Sequence, residues 1–374
     1  MTKRLYVAAT NQHVGKTTTT LGLVEAFRQK GIRVGYCKPV GQETVSLNDL
    51  QVDKDALLFS TMMSFDLIAR IHSPVILGKG ATQAFLDAPE KFQFKEDIER
   101  ASAILEKEYE MVIYEGTGHP GVGSVVGLSN ADVAKMLEAQ VVLIVEGGIG
   151  YTIDRLYLCL SPFVQMGVPV AGVIINKVLP EKMEKVRHYV GMKLKEWGIP
   201  LLGVMPYDKT LLYPLLGTIC RSIKGKVLYH PEGLGNIVEN VVAASLLGSH
   251  NFDEDKGVLL VVSQNRANKS IGWIRRIHAE KGYDQMPLVG VIITGDGKNE
   301  VTLKDFEHME FIDKYGIPMI ATPLDTYGTA VKISHMEVKI NVQSLGKAHR
   351  AVELVNEHVD LDKIEIGQRG NQNG

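Results

Sequence analysis

A strand that runs straight into a lysine-bearing turn and a helix constrains this chain most. Leu5 to Ala9 is a short apolar run with strand character. The turn Ala8-Ala9-Thr10-Asn11-Gln12-His13-Val14-Gly15-Lys16-Thr17-Thr18 follows. Thr17 to Lys30 then carries Leu21, Val24 and Phe27 at helical spacing, with Gly31 as a stop. The turn nearly matches the phosphate-loop pattern, in which four residues separate a Gly from Gly-Lys-Ser/Thr. Thr10 stands where the first Gly would be. Backbone N–H groups of such a turn, with the helix N-terminus behind them, present positive charge to a polyphosphate. Gly15 lets the backbone approach closely. Lys16 would reach the β and γ oxygens, and the Thr17 hydroxyl would ligate Mg²⁺. The nucleotide contacts expected here are Thr10, Asn11, Gln12, His13, Val14, Gly15, Lys16, Thr17 and Thr18. A plain strand-to-helix turn would need no Gly-Lys-Thr.

Downstream, short β-branched runs alternate with longer helical patterns. Val34–Lys38, Met111–Glu115, Val141–Val145 and Val170–Ile175 read as strands. Phe94–Tyr109, Ala131–Glu138 and Ile153–Phe163 read as helices. Strands apolar on both faces and separated by helices imply a doubly wound, mostly parallel sheet, an α/β fold. Ligands of such sheets bind at the C-terminal ends of the strands. Lys38 ends the second strand there, in Lys38-Pro39-Val40. Glu115, in Glu115-Gly116-Thr117-Gly118, suits a Mg²⁺ ligand. Asn176 follows Gly172 to Ile175, and its amide can pair with the N6/N7 edge of adenine. Asp55 is a further candidate metal ligand, although an Asp at a helix start is commonly a cap.

The second half repeats part of the first. Val142-Leu143-Ile144-Val145 is echoed by Leu259-Leu260-Val261-Val262, 117 positions later. Gly172-Val173-Ile174-Ile175 is echoed by Gly290-Val291-Ile292-Ile293, and Gly198-Ile199-Pro200 by Gly316-Ile317-Pro318, each 118 later. A repeated strand order and convergence of generic parallel strands both account for this. No phosphate loop recurs. Ile237–Leu247 reads as helical, 253–257 as an acidic surface loop, and Trp273 and Tyr327 as packing residues. The expected organisation is a nucleotide domain over 1–212, a smaller α/β domain over 213–361 and a disordered tail over 362–374.

Composition removes several classes. Lys and Arg number 41 against 43 Asp and Glu, a formal charge of −2, and no basic run suggests a nucleic-acid partner. The apolar runs are far below the roughly 20 residues of a membrane span. The N-terminus enters a strand at once, so no signal peptide is expected. Cys37, Cys159 and Cys220 are too widely spaced for a zinc site or a disulfide framework. A reducing cytoplasm is the expected compartment.

Taken together, Thr10 to Thr17, Lys38-Pro39-Val40, Asp55-Ala56, Glu115-Gly116 and Asn176 resemble dethiobiotin synthetase in order and spacing, over roughly 3–210. That family also has Thr at the first loop position. The resemblance implies catalytic roles for Lys16 and Lys38, with Lys38 a cation over substrate and γ-phosphate. It implies Thr17, Asp55 and Glu115 as Mg²⁺ partners, Asn176 as the adenine contact, and dimerisation through the first domain. The chain departs from the family at His13, at Gly41-Gln42-Glu43 and at His119-Pro120-Gly121-Val122-Gly123, so the diamine half does not carry over.

Over roughly 3–360 the chain also resembles the N-terminal region of long bacterial phosphate acetyltransferases with their DRTGG domain. Asn130–Val145, Val258–Asn268, Gly290–Gly295, Tyr315–Pro318 and Thr326–Ala330 carry that likeness. Acetyl transfer is not expected of this stretch, and a regulatory, Mg·ATP-binding module is. The cobyrinic acid a,c-diamide synthase group shares the ATP half, but Cys220 lacks the Gly-rich elbow of a glutaminase nucleophile. The alternative function is an ATP-dependent ligase, in which a carbamate or carboxylate attacks the γ-phosphate and an amine captures the mixed anhydride.

Overall fold

The computed structural model describes residues 2–47, 50–249, 256–281, 286–295, 301, 306–336, 340 and 345–364. The chain divides into two compact units, Met1–Asp208 with Ile340–Gly374, and Lys209–Lys339.

The first unit begins with β1 (Lys3–Ala9), α1 (Lys16–Gln29), β2 (Val34–Cys37), the short β3 (Val40–Gly41) and a hairpin of β4 (Thr44–Leu47) and β5 (Leu50–Asp53). It continues through α2 (Lys54–Met63), α3 (Ala69–His72), β6 (Val75–Ile76), α4 (Ala81–Asp87), α5 (Phe94–Glu108) and β7 (Met111–Glu115). Then come α6 (Asn130–Met136), β8 (Gln140–Glu146), α7 (Gly150–Gln165), β9 (Val170–Val178), α8 (Met183–Glu196) and β10 (Leu201–Pro206).

Six strands form one parallel sheet in the order β10-β9-β8-β1-β7-β2. Every residue of β2 and β7 is buried, as strands sandwiched between helical layers must be. The chain leaves β1 toward β2, but leaves β7 in the opposite direction, toward β8. This reversal opens a crevice between the ends of β1 and β7, the switch point at which ligands of doubly wound sheets bind. Parallel register sets Val7 opposite Glu115, so the turn after β1 faces the carboxylate that ends β7. The expected strands and helices of this half are all present.

The second unit comprises α9 (Lys209–Leu212), α10 (Leu216–Ser222), β11 (Lys226–Tyr229), β12 (Asn240–Ala243), β13 (Val258–Ser263), α11 (Ala267–Lys281), β14 (Leu288–Thr294), α12 (Met309–Tyr315), β15 (Met319–Thr322) and α13 (Thr326–Ser334). Its sheet order is β11-β15-β14-β13-β12, parallel except for β11. The internal echo has a structural counterpart, since β8, β9 and β10 are neighbours in the first sheet as β13, β14 and β15 are in the second. Equivalent turns are held by equivalent bonds. Val141 N–H donates to Pro169 O and Val258 N–H to Pro287 O, both at 2.8 Å. Val173 N–H donates to Pro200 O and Val291 N–H to Pro318 O, both at 2.9 Å.

Four expectations differ from the structure. Ile237–Leu247 is not a helix. Residues 240–243 form β12, paired in parallel with β13, and 244–249 form a 3₁₀ turn. Val242 is buried while Val241 is 41% exposed, the alternation of an edge strand, so pairing overrides the helical spacing. Tyr327 does not pack, being 78% exposed. The C-terminal part of 213–361 does not belong with the second unit. α14 (Leu345–His358) lies along α1, Asp360 N–H donates to Leu202 O at 2.8 Å and Val359 bridges Gly203, covering the open edge of β10. Ile364 is buried, so order extends past 362; residues 365–374 of the expected tail and 253–255 of the acidic loop lie outside the described residues.

Gly22 on α1 is what lets α14 approach, because a Cβ there would lie 2.3 Å from Val355 Cγ2 and 2.9 Å from Ala351 O. Gly22→Val should therefore overpack this seam and cost about 1–3 kcal/mol. Urea unfolding should show a lower midpoint for Gly22→Val.

Candidate functional site

The turn after β1 is held in a special backbone shape. His13 and Gly15 both have positive φ, 62° and 94°, and Gly15 is the N-cap of α1. A Cβ on Gly15 would fall 2.1 Å from Asn176 Nδ2, so only glycine serves here. Thr10 is buried and its N–H donates to Ile144 O at 2.9 Å, fixing the turn to β8. Asn11, Gln12 and His13 are exposed at the tip, and Val14 is buried beneath. Lys16, Thr17 and Thr18 open the helix half-buried.

Glu115 organises the crevice. It is fully buried, and its Oε1 accepts from Thr17 Oγ1 at 2.7 Å and lies 3.7 Å from Lys16 Nζ. Its Oε2 accepts from Tyr36 O–H at 3.0 Å. Burial raises the Glu115 pKa, the nearby Asp55 charge raises it further, and Lys38, Lys16 and the Thr17 bond oppose both. Lys38 projects from the end of β2 into the same space, 3.4 Å from Asp53 Oδ1 and paired with Asp55. Burial disfavours its charge, but Asp55, Glu115 and Asp53 outweigh that and hold its pKa above the ordinary lysine value.

Asp53 caps α2 by accepting from Asp55 N–H at 2.9 Å, and it also accepts from Gln42 N–H at 3.2 Å. The cap thus sets where Asp55 stands. Asn130, at the start of α6, fixes the loop after Glu115. Its Oδ1 accepts from Tyr6 O–H at 2.8 Å and Thr117 N–H at 3.0 Å, and its Nδ2 donates to Thr117 O and His119 O.

The sequence-expected residues Lys16, Thr17, Lys38, Asp55 and Glu115 thus converge on one crevice. Asn176, near the end of β9, reaches the turn itself and not the carboxylates, with its Nδ2 donating to Val14 O at 2.9 Å and its Oδ1 accepting from Lys177 N–H at 2.8 Å. The amide buttresses the turn, and these two bonds use one of its N–H groups and one of its lone pairs. Tyr36, Asp53 and Asn130 were not expected. The Asx pattern two residues ahead of Asp55 could have revealed Asp53, and Ser129-x-x-Asp132, a capping box in the structure, could have flagged the start of α6. Nothing in the apolar run of β2 marks Tyr36.

The donors suit a hard cation such as Mg²⁺, which takes one or two protein oxygens and fills its sphere with water and phosphate. Thr17, Asp55 and Glu115 offer oxygens only. Among the described residues no group of three His, Cys, Asp or Glu side chains is arranged to hold a metal alone. Cys37, Cys159 and Cys220 are buried thiols whose pKa burial raises, the inert state of a structural cysteine. Among the described residues no helix is long and apolar enough to cross a membrane.

The AAA domain family AAA_26 matches residues 3–214. The chain belongs to that family. This AAA domain protein is 23% identical to a phosphate acetyltransferase from Synechocystis over 378 residues, which is 97% of this chain and 51% of that protein. It is 26% identical to an ATP-dependent dethiobiotin synthetase from Thermodesulfovibrio yellowstonii over 215 residues, 54% of this chain and 88% of that one. A probable cobyric acid synthase from Methanocaldococcus jannaschii is 26% identical over 57% of this chain and 47% of its own length. The AAA domain chain spans about half the length of the phosphate acetyltransferases it matches. Among solved structures, the cobyrinic acid a,c-diamide synthase from Mycobacterium smegmatis with bound ADP and magnesium has 17% identity and a TM-score of 0.37, over 56% of this chain and 88% of that one.

Lys38→Met should remove the cation from a site with three acids and cost about 3–5 kcal/mol, the usual penalty for breaking a buried ion pair. Burial already holds the Asp53 and Glu115 pKa values above normal, and loss of Lys38 raises them further. The folded variant then binds protons more tightly than its unfolded chain, so its stability falls as pH rises above the ordinary carboxylate range. The deficit in thermal midpoint should be smaller at pH 5 than at pH 8.

Proposed function

We propose that the first unit binds Mg·ATP in the crevice between β1 and β7 and works as a regulatory or sensing ATPase module, with acetyl transfer assigned to none of these residues. The observation that carries this reading is the Gly15-Lys16-Thr17 opening of α1, set against the buried Glu115 that engages both Thr17 Oγ1 and Lys16 Nζ. In this reading the amides of 10–18 cradle the phosphates, Lys16 meets the β and γ oxygens, and Thr17, Asp55 and Glu115 supply oxygens to the metal. Mg²⁺ neutralises the charge shared by the β- and γ-phosphates. Lys38 leans toward the γ-phosphate, and Asn176 turns its remaining N–H to adenine. The second unit, DRTGG-like in sequence, reads the nucleotide state. A cytoplasmic homodimer is the form in which we expect it to act.

A second reading uses the same residues. An ATP-dependent ligase of the dethiobiotin synthetase or cobyrinic acid a,c-diamide synthase type would proceed through a carboxyl or carbamoyl phosphate. Lys38 favours it, because a buried cation at the end of β2 would steady an anionic acceptor beside the γ-phosphate. ATP turnover stimulated by a carboxylate or amine metabolite would select this reading, and turnover indifferent to such compounds the first.

Ligand binding to the native state stabilises by RT ln(1 + [L]/Kd), about 2.7 kcal/mol at 100 Kd. Mg·ATP should raise the thermal midpoint of the wild type and leave Lys16→Ala unmoved. Lys16→Ala should still fold, since Glu115 keeps its Thr17 and Tyr36 donors. A nucleotide shift of equal size in Lys16→Ala would refute the site.

A further inference from the structure

Lys177, near the end of β9, has a left-handed backbone with φ of 57°. That conformation crowds the Cβ of any ordinary L-residue and usually falls to Gly, Asn or Asp, so a lysine held in it is a reason to look for function. Its Nζ donates to His13 O at 2.5 Å and lies 3.2 Å from Glu146 Oε1. The lysine side chain is 19% exposed. The residue before it, Asn176, donates to Val14 O and is itself anchored by Gly147 N–H, which donates to Asn176 O at 2.7 Å. Two consecutive carbonyls of the turn, those of His13 and Val14, are therefore drawn onto the end of β9.

In a planar trans peptide the N–H points opposite the C=O to which it is joined. Fixing His13 O and Val14 O toward β9 turns the N–H groups of Val14 and Gly15 the other way, away from β9. These are central members of the amide cradle. Lys177 touches neither the crevice carboxylates nor Lys16 in this arrangement. Glu146 shares its ammonium and so opposes its migration onto a bound anion.

We propose that Lys177 is a positioning residue for the nucleotide: held beside Glu146, it fixes the His13 carbonyl so that the amides of Val14 and Gly15 are set for the polyphosphate before it arrives. This rests on the nucleotide reading above. The clamp acts on the turn and not on the γ-phosphate, so its loss should weaken diphosphate and triphosphate alike. It also separates binding from stability, because the backbone at this position would be easier with glycine.

The test is calorimetric titration of the full chain with Mg·ATP and with Mg·ADP, alongside thermal midpoints without nucleotide. Lys177→Gly should fold with an unchanged or higher midpoint and bind both nucleotides about tenfold more weakly, by the same factor, as expected for one lost charge-assisted hydrogen bond. Lys177→Met should weaken both nucleotides in the same way, and Lys177→Arg, which keeps a cationic donor, should recover most of the affinity. Binding by both Lys177→Gly and Lys177→Met as tight as wild type would overturn the assignment of Lys177, as would a loss confined to Mg·ATP. Wild-type protein that binds neither nucleotide would instead overturn the reading on which it rests.

Discussion

A single buried carboxylate, Glu115, is the point on which the first unit turns. An acid removed from water needs donors and cations around it, and here four side chains supply them: Thr17 and Lys16 at the start of α1, Tyr36 in β2, and Lys38 just beyond it. Each of these is brought there by the parallel sheet, which sets the ends of β1, β7 and β2 side by side. The core packs around this arrangement because the strands bury both faces and leave polar chemistry only at their ends. Charge at the crevice is near balance, with two lysines facing three acids, and that balance is what a cation and a polyphosphate would enter.

Much of this was legible in the residues alone. Gly15-Lys16-Thr17 between a strand and a helix fixes its own conformation, and apolar runs of five residues separated by amphipathic helices leave few sheet architectures open. Glu115 and Lys38 could be placed because strand ends are where such sheets expose functional groups. Asp53 had a local signal in its cap to Asp55, but Tyr36 and Asn130 could not be placed, since their roles exist only once distant segments converge: Tyr36 meets Glu115 across 79 positions of sequence and Asn130 meets Tyr6 across 124. Asn176 shows a subtler gap. Its place at the strand end was readable, yet its bond to Val14 depends on the path of the turn.

The misreadings also have physical causes. Ile237–Leu247 carries helical spacing, but an unpaired edge beside β13 offers backbone bonds that local propensity does not outweigh. The C-terminal boundary failed because α14 has an amphipathic pattern that suits any apolar surface, and nothing in it names α1 as the partner. The repeated strand order in the second unit fared better, because the 118-residue offset of Val173 and Val291 carries over to the proline carbonyls that hold them.

The return of α14 to α1 gives the molecule a folding order that differs from its reading order. The second unit is inserted into the first in sequence, so the helix that covers α1 and the segment that caps β10 are synthesised only after the whole of the second unit. Until they emerge, a nascent first unit exposes apolar α1 surface and an unpaired strand edge, both targets for chaperones and for self-association. Synthesis of this chain therefore passes through a stage in which the nucleotide half is complete in its site residues but not yet sealed.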